Sequence, residues 1–251
     1  MNEITSRKNP LVVHMKKLGG DGDYRRQSGE FLCDGDKLLR EALSYGADVT
    51  AVLFSGVKPE GLPADIPAYE VPRDLITAVS PLKTPQGVLF ACRIPAPASS
   101  PITGGFHIIL EGIQDPGNVG TILRTAGAFN VGSVILTGGC ADPYNPKTIR
   151  ASMGAIFRQP IVPAEIDDIR ALKKSGLKIY GAALSEDSRD VRNVIFNNAA
   201  VAIGSEGRGL SRDLLDLCDE EIIIPMLPEC ESLNAAVAAA IVMWEAARGI
   251  W

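Results

Sequence analysis

The residues of this chain best suited to chemistry lie in three glycine-punctuated stretches of its second half. In the first stretch, residues 111–124 (EGIQDPGNVGTILR), Asn118 opens a predicted helix and Arg124 follows on the same helix. A helix N-terminus and a nearby amide side chain supply hydrogen-bond donors to a bound group. Small neighbours, Gly120 and Gly127, leave the Arg124 guanidinium accessible. The stretch predicts a polar pocket beside a cation, although an arginine on a helix surface is more often only a solvated side chain.

The second stretch, residues 204–211 (GSEGRGLS), directly follows a short apolar run. Its three glycines permit backbone conformations and close approaches that other residues cannot adopt. It matches neither a dinucleotide fingerprint nor a P-loop, because Glu206 would repel a phosphate there. Glu206 could instead anchor Arg124 or orient a neighbouring loop. The alternative interpretation is a plain glycine-rich turn that ends at a capping Ser211.

The third stretch, residues 222–248, contains a strand that stops at Pro225 and a helix that Ser232 or Asn234 can cap. The helix is rich in alanine, and its bulky members include Trp244. A smooth helix of this kind packs closely against another element, which can be a second subunit. An ordinary capped, buried helix is the simpler interpretation of this stretch alone.

Alternating strands and helices must position these stretches. We predict strands at His107–Glu111, Ser133–Thr137, Lys178–Ala183, Ala200–Gly204 and Glu221–Pro225. We predict helices at Val119–Phe129, Lys147–Phe157, Ile166–Ser175 and Asn234–Arg248. Short apolar runs separated by helices indicate an α/β fold with a mostly parallel, doubly wound sheet and helices on both faces. Ligands bind such sheets at the carboxyl ends of the strands, where all three stretches fall.

The proline- and glycine-rich segment Ile94–Gly105 is the clearest linker. It predicts a small α/β domain over residues 1–95, a linker over 96–105 and a second domain over 106–251. In the small domain we predict one helix at Lys37–Tyr45. We predict strands at the start of FLCDGDKLLREAL and at Val49–Phe54, and two further short segments around Ala68–Val71 and Gly87–Cys92.

Composition limits the remaining possibilities. The net charge of −5 argues against a generic nucleic-acid binder, but residues 1–26 carry six basic and three acidic side chains. From this segment we select Arg7, Lys8, Arg25 and Arg26 as candidate contacts to nucleic-acid phosphates, with a solvated surface as the alternative. Five scattered cysteines without a CxxC pair indicate free buried thiols and no zinc site. We expect a cytoplasmic protein without a signal peptide or a membrane span, since no apolar run is long enough for either.

Taken in order, the three stretches resemble the SpoU family of RNA 2′-O-ribose methyltransferases, within the SPOUT superfamily. The matching residues are EGIQDPGNVGTILR (111–124), VAIGSEGRG (201–209) and IPM with SLNAAV (224–226 and 232–237). Upstream, YRRQSGEFLCDGDKLLREAL (24–43) resembles the opening of the substrate-binding domain that often precedes such catalytic domains. Asp34 stands there where the family usually has glutamate.

The resemblance implies a catalytic domain threaded as a deep trefoil knot and a homodimer whose active sites lie at the subunit interface. It implies S-adenosylmethionine as the cofactor, bound around Thr137, Gly138, Gly204, Ile224, Met226 and Leu233. It also implies a catalytic centre lined by Asn118, Arg124, Glu206, Ser232 and Asn234, and no metal. In that centre Arg124 would hold substrate phosphate and either promote loss of the hydroxyl proton or stabilise the developing alkoxide, with Glu206 orienting it.

We expect large-subunit ribosomal RNA as the substrate, because the two-domain arrangement resembles enzymes that act on it. Alternatives are transfer RNA, a role in antibiotic resistance, or a non-catalytic RNA-binding relative. The retained Asn118, Arg124, Glu206 and Asn234 argue against the last. A Rossmann-type oxidoreductase is a further rival, but no GxGxxG follows the first strand of either half.

Overall fold

The computed structural model describes residues 2–96, 102, 104–185, 187–227, 229–230 and 232–248. Much of the predicted linker, residues 97–101 and 103, lies outside these ranges. The chain forms two compact units: unit 1 comprises residues 1–96 and 142–157, and unit 2 comprises residues 97–141 and 158–251. The units differ from the sequence-based domains mainly at residues 142–157, which group with unit 1.

Unit 1 is built on a five-stranded mixed sheet in the order β1-β4-β3-β5-β2. Its strands are β1 (Asn2–Glu3), β2 (Glu30–Asp34), β3 (Val49–Phe54), β4 (Ala68–Glu70) and β5 (Val88–Arg93). Its helices are α1 (Pro10–Gly20), α2 (Gly22–Ser28), α3 (Asp36–Ser44) and α4 (Arg73–Val79). Strand β5 runs antiparallel to β2 and β3, whereas β4 pairs in parallel with β1 and β3. The predicted helix and four strands are present, while β1, α1, α2 and α4 were not predicted.

Residues 142–157 group with unit 1 because they cover an aromatic face of its sheet. Successive side chains of a strand point to opposite faces. Leu32 joins the core formed with α1 and α4, while Phe31 contacts Tyr144 and Phe157 at ring-centroid distances of 4.8 and 6.3 Å. Phe90 of β5 also lies near Phe157. Two-sided burial of this sheet therefore requires a segment that the sequence places inside the second domain.

Arg25, selected above as an RNA contact, is part of this buried structure. Its side chain is 4% exposed and donates two hydrogen bonds to the Asp142 carboxylate, at 2.9 and 2.6 Å, and one to the Leu18 carbonyl. The assignment of Arg25 to RNA is therefore wrong, because all three of its nitrogens are committed within unit 1. Amphipathic position on α2, rather than charge, decides its role.

Removing Arg25 is expected to destabilise unit 1 strongly. The substitution Arg25→Ala leaves the Asp142 carboxylate and the Leu18 carbonyl without their partner, which typically costs about 3 kcal/mol. The neighbouring Arg26→Ala is the matched control, because Arg26 pairs with Asp23 on the surface and its loss costs below about 1 kcal/mol. Urea unfolding and hydrogen exchange of the β2 and β5 amides measure both. Equal stabilities for the two variants would contradict a structural role for Arg25.

Unit 2 is built on a seven-stranded sheet in the order β10-β12-β9-β11-β6-β7-β8, in which every described pairing is parallel. Its strands are β6 (Phe106–Glu111), β7 (Ser133–Thr137), β8 (Ile161–Pro163), β9 (Lys178–Ala182), β10 (Arg189–Asp190), β11 (Ala199–Gly204) and β12 (Glu220–Ile223). Its helices are α5 (Pro116–Ala128), α7 (Ile166–Lys174), α8 (Arg212–Leu215) and α9 (Ala235–Ala247). The remaining helix, α6 (Pro146–Ser152), belongs to unit 1. The predicted α/β fold with a mostly parallel sheet is confirmed.

Two predicted elements end earlier than their patterns suggested. The helix predicted to reach Phe157 stops at Ser152, because Met153 and Gly154 adopt positive φ angles of 49° and 88° before a 3-10 turn. The strand predicted to reach Pro225 stops at Ile223. The short edge strands β8 and β10 and the one-turn helix α8 were not predicted, since segments of two to four residues carry little periodic signal.

His107 is buried at the amino end of β6, away from the carboxyl ends of the strands. Its Nε2 donates to the Gly104 carbonyl at 2.7 Å, and its Nδ1 lies 2.9 Å from the Ser133 hydroxyl. Burial lowers the pKa of His107 from 6.5, and the bond to Gly104 only partly offsets this. The histidine therefore favours its neutral form in the folded chain.

Because of this lowered pKa, the folded chain should become less stable in mild acid. Because the folded value lies below the unfolded one, the unfolded chain takes up the proton first as the pH falls. The His107 contribution is complete above about pH 6.5 and is lost as the pH drops below it. The variant His107→Gln retains a donor for the Gly104 carbonyl but cannot titrate. Between about pH 7.5 and about pH 5.5 its melting temperature should fall less than that of the parent protein. The same fall in both proteins would exclude His107 as the titrating group.

The described residues hold no group of three or more histidine, cysteine, aspartate or glutamate side chains that could bind a metal. None of the helices in the described ranges is both long and apolar enough to cross a bilayer. All five cysteines are free thiols, but the prediction that they are buried holds only for Cys33 and Cys92, and Cys230 is exposed. Burial raises the pKa of Cys218 to about 12, so this thiol is a poor nucleophile at neutral pH.

Candidate active site

The first of the three loops joins β6 to α5. Asp115 caps the helix by accepting a hydrogen bond from the Asn118 amide at 3.0 Å, and Pro116 occupies the first helical turn. This cap fixes the start of α5 two residues before Asn118 and leaves the Asn118 side chain free to point away from the helix. Val119, Ile122, Leu123 and Ala126 are buried as predicted, whereas Phe129 is only half-buried.

The second loop joins β11 to α8 and folds back on itself. A Cβ atom on Gly204 would lie 2.1 Å from the Gly209 carbonyl carbon, so no other residue fits there. The Gly209 amide donates to the Ser205 carbonyl at 2.8 Å, which closes the turn around Glu206. Ser211 caps α8, as one interpretation of the sequence expected. The loop is thus a tight hairpin that presents Glu206 at its tip.

The third loop precedes α9, and the choice left open between Ser232 and Asn234 falls to Asn234. The Asn234 side chain accepts from the Ala236 and Val237 amides at 3.0 and 3.3 Å. Ser232 is exposed and makes no hydrogen bond with another described residue. As predicted, the smooth α9 packs against another element, which is α5.

A polar cluster of Asn118, Glu206 and Asn234 joins the three loops. Glu206 Oε1 accepts from Asn118 Nδ2 at 3.0 Å, from Asn234 Nδ2 at 2.6 Å and from the Ala235 amide at 3.1 Å. Asn234 Nδ2 also lies 3.1 Å from Asn118 Oδ1. The predicted convergence of these three side chains is present, and one carboxylate oxygen receives three donors.

Arg124 does not belong to this polar cluster. It is exposed, and within the described part of the chain it makes no hydrogen bond or ion pair. Arg124 lies six positions after Asn118 on α5, which places the two side chains about 120° apart around the helix. The expectation that Glu206 orients Arg124 is therefore wrong for a single chain, since the bonds of Glu206 go to the two asparagines and the α9 backbone.

The residues expected to bind a cofactor lie at the carboxyl edge of the sheet. Glu111 at the end of β6 pairs with Thr137 of β7 on one side and with Gly204 of β11 on the other. Gly138 follows Thr137 with a φ of 61° and is exposed. The half-buried Ile224 and Met226 follow β12, and the half-buried Leu233 immediately precedes Asn234. Apart from Leu233, which lies in the loop before α9, these residues come from three strand ends that all point in one direction.

Two residues that sequence reasoning missed hold these strand ends together. The Glu111 carboxylate accepts from the Ser211 amide and hydroxyl, each at 2.7 Å. The Cys140 thiol donates to the Leu110 and Thr137 carbonyls at 3.2 Å, and burial raises the pKa of that thiol. An acidic residue that ends an otherwise apolar strand was the available signal for Glu111, whereas nothing in the sequence singled out Cys140.

An apolar groove of about 470 Å³ runs between α5 and α9 and ends at the polar cluster. It is lined by Asn118, Thr121, Phe129, Asn234, Ala236, Val237, Ala240, Ile241 and Trp244. Phe129 and Trp244 meet edge to face at 5.7 Å, yet Trp244 remains 54% exposed. Large exposed apolar side chains beside a groove mark an interaction surface.

Among the other predicted RNA contacts, Arg7 and Arg26 are exposed but already paired, with Asp74 and Asp23 respectively. Lys8 is exposed, and its side chain has no ion-pair partner in the described ranges. Asp23 is already one of the three acids counted in residues 1–26, so only Asp74 of α4 lowers the positive charge of this surface below the sequence count.

Comparisons with known proteins agree with this geometry. Residues 105–244 match the model of the SpoU rRNA Methylase family, and residues 9–90 match an MRM3-like substrate binding domain. The chain is 34% identical to a 23S rRNA (guanosine(2553)-2′-O)-methyltransferase of Bacillus subtilis (strain 168), over 97% of this chain and 98% of the relative. It is 31% identical to a 23S rRNA (uridine(2479)-2′-O)-methyltransferase of Streptomyces viridochromogenes, over 98% and 91%.

A solved structure, an AdoMet-bound rRNA methyltransferase from Sinorhizobium meliloti, superposes with a TM-score of 0.90 at 28% identity. The match covers 100% of this chain and 98% of that one. The resemblance drawn from the three stretches is thereby confirmed, and the chain belongs to the SpoU rRNA methylase family.

Proposed function

We propose that this protein transfers a methyl group from S-adenosylmethionine to a ribose 2′-hydroxyl of large-subunit ribosomal RNA. The observation that carries the proposal is the polar cluster, in which Glu206 draws Asn118 and Asn234 together at the carboxyl edge of the parallel sheet. Family membership supplies the reaction class, and both 23S rRNA relatives named above modify the ribose 2′ oxygen.

The carboxyl edge fits the proposed cofactor in its chemistry. Gly138 offers exposed backbone without a side chain, and a Cβ there would lie 2.7 Å from Glu111 Cγ. Ile224, Met226 and Leu233 offer half-buried apolar surface suited to a flat adenine ring. Thr137, Gly138, Gly204, Ile224, Met226 and Leu233 are the residues we propose to hold it. When bound, S-adenosylmethionine supplies an electrophilic methyl group on a sulfonium.

The chain itself must align the RNA, and the proton that the attacking hydroxyl loses passes to solvent water. We assign Arg124 to bind substrate phosphate and to stabilise negative charge that develops on the 2′ oxygen. Arginine remains protonated in proteins, which favours this electrostatic role over that of a base. Asn118 and Asn234, fixed by Glu206, and the exposed Ser232 position the substrate and the loop backbone. Alignment alone contributes much of the rate in a two-reactant transfer.

We propose a homodimer formed through the groove between α5 and α9. The groove is apolar, and Trp244 and Val237 on its rim are 54% and 48% exposed. A twofold contact here would bury this surface at the mouth of the polar cluster, so the active site would lie at the interface. It would also explain why Arg124 has no partner among the described residues of a single chain.

The deep trefoil knot remains a proposal for unit 2. In support, strand order departs from chain order: β11 lies between β6 and β9, and β12 lies between β9 and β10. A cytoplasmic location follows from a ribosomal RNA substrate and stays a prediction.

Unit 1 is proposed to bind the RNA substrate, consistent with its match to a substrate binding domain. Among the residues that the structure describes, the Lys8 side chain has no ion-pair partner, and Arg7 and Arg26 would exchange their surface acids for phosphates. Such exchange costs little, because exposed ion pairs contribute at most about 1 kcal/mol.

The test is methyl transfer from labelled S-adenosylmethionine to purified 23S rRNA, with transfer RNA in parallel. We expect the label in a 2′-O-methyl nucleoside of the ribosomal RNA after digestion and mass spectrometry. Label confined to transfer RNA would support the alternative substrate. Label on a base, or cofactor binding without any transfer, would overturn the proposed reaction.

A further inference from the structure

Glu111 occupies the junction between two of the strands that carry proposed cofactor residues, β7 and β11. It ends β6, and its backbone pairs with Thr137 on one side and Gly204 on the other. Its side chain is half-buried and packs against the next loop, since a Cβ on Gly138 would lie 2.7 Å from Glu111 Cγ. Glu111 therefore contacts both loops that would enclose the cofactor.

The carboxylate of Glu111 is fully occupied by one residue. Oε2 accepts from the Ser211 amide and Oε1 from the Ser211 hydroxyl, each at 2.7 Å. Hydrogen bonds to a carboxylate are shorter and roughly twice as strong as neutral ones. Ser211 Oγ in turn accepts from the Leu214 amide at 3.2 Å, so the same contact fixes the start of α8.

The glycine-rich loop depends on this anchor because it has few others. Between Gly204 and Ser211 the chain reverses so tightly that the two glycine backbones, Gly204 and Gly209, touch. Glu206 fixes the tip of the loop through the polar cluster. Ser211 fixes its exit through Glu111. Release of the exit would let Gly204 and Glu206 move together.

We infer that Glu111 is a positioning residue for methyl transfer: it holds the loop 204–211 in the shape that binds the cofactor and presents Glu206. The inference rests on the proposed function and assigns Glu111 no contact with a reacting atom. Its carboxylate acts on the loop and places no charge on the reacting atoms. An isosteric amide keeps the geometry of both bonds at lower strength, with its oxygen accepting from the Ser211 amide and its nitrogen donating to the Ser211 hydroxyl.

The test compares Glu111→Ala, Glu111→Gln and Ser211→Ala in the full-length protein. We expect Glu111→Ala to raise the dissociation constant of S-adenosylmethionine by at least about tenfold, and Glu111→Gln to stay within about threefold of the parent. Ser211→Ala keeps the backbone hydrogen bond to Glu111 but loses the hydroxyl one. Its dissociation constant should lie between those of the two Glu111 variants. Calorimetry measures binding, and labelled methyl transfer measures kcat and KM.

Val134→Ala is the matched control for stability, because Val134 is fully buried near the amino end of β7, away from the carboxyl edge that carries the loop, and its truncation destabilises unit 2. If Val134→Ala weakens cofactor binding as much as Glu111→Ala, Glu111 is merely structural. If Glu111→Gln loses kcat at unchanged cofactor binding, the charge acts in the reaction and the inference is wrong. Should the parent bind S-adenosylmethionine but modify no RNA, the proposed reaction fails while the binding comparison still tests Glu111.

Discussion

Replacing Arg124 by alanine is expected to reduce methyl transfer to RNA by at least about a hundredfold, while S-adenosylmethionine binding stays within a few-fold. Arg124 is exposed on α5, lies outside the polar cluster and makes no ion pair within the described chain. An uncommitted guanidinium can neutralise a phosphate and a developing alkoxide. Its loss therefore removes charge stabilisation from the transition state and leaves the fold intact.

Single-turnover methyl transfer and cofactor calorimetry measure the two effects separately. Arg170→Ala is the matched control, because Arg170 is an exposed arginine of the same unit whose ion pair with Asp167 lies on α7. Arg124→Lys should recover only part of the activity, since a point charge cannot reproduce the two-pronged contact of a guanidinium. Methylation by Arg124→Ala at the parental rate would remove Arg124 from the mechanism.

Comparing two substitutions of Glu206 should separate the structural role of this side chain from the role of its charge. All three donors of the polar cluster reach the same oxygen, Oε1. Oε2 has no hydrogen-bond partner among the described residues and is available to a guanidinium or a substrate hydroxyl. Glu206→Gln retains an oxygen for the three donors but loses the charge, whereas Glu206→Ala loses both.

We expect Glu206→Gln to keep its melting temperature within a few degrees and to lose activity about ten- to a hundredfold. Glu206→Ala should lose at least as much activity and also unfold at a clearly lower temperature, because Asn118, Asn234 and the Ala235 amide lose their acceptor. Asp213→Asn, an exposed acid on α8, is the control for general charge effects. Full activity in Glu206→Gln would show that Glu206 acts only as a scaffold.

Much of the fold could be predicted from periodicity. The predicted bounds of β7, β9 and β11 agree with the structure to within a residue, because two-sided burial in a parallel sheet requires uninterrupted apolar strands. The predicted helix α5 agrees to within a few residues. The short edge strands β8 and β10 were not predicted. Each buries too little side chain for its sequence to differ from that of a loop.

The residues of the candidate site could be predicted, but the hydrogen bonds between them could not. Parallel strands bring their carboxyl ends to one edge, so motifs that follow different strands must converge. That rule predicted that the three stretches meet, and the family resemblance selected Asn118, Glu206 and Asn234 among them. The resemblance assigned Glu206 to Arg124, whereas the structure bonds it to the asparagines and so favours the alternative that it orients a neighbouring loop. The partner of a carboxylate depends on distances of a few ångströms, which residue types and spacing do not specify.

Arg25 and Glu111 show the same division at single residues. Residue types and their order specify which side chains are cations or anions, which runs are apolar enough to be buried, and which motifs identify the family. The burial of Arg25 against Asp142 and the bonding of Glu111 to Ser211 follow from the folded packing alone. Each of these contacts joins residues about a hundred positions apart along the chain. Long-range partners of this kind are selected by the packing of the whole unit, and local sequence carries no record of them.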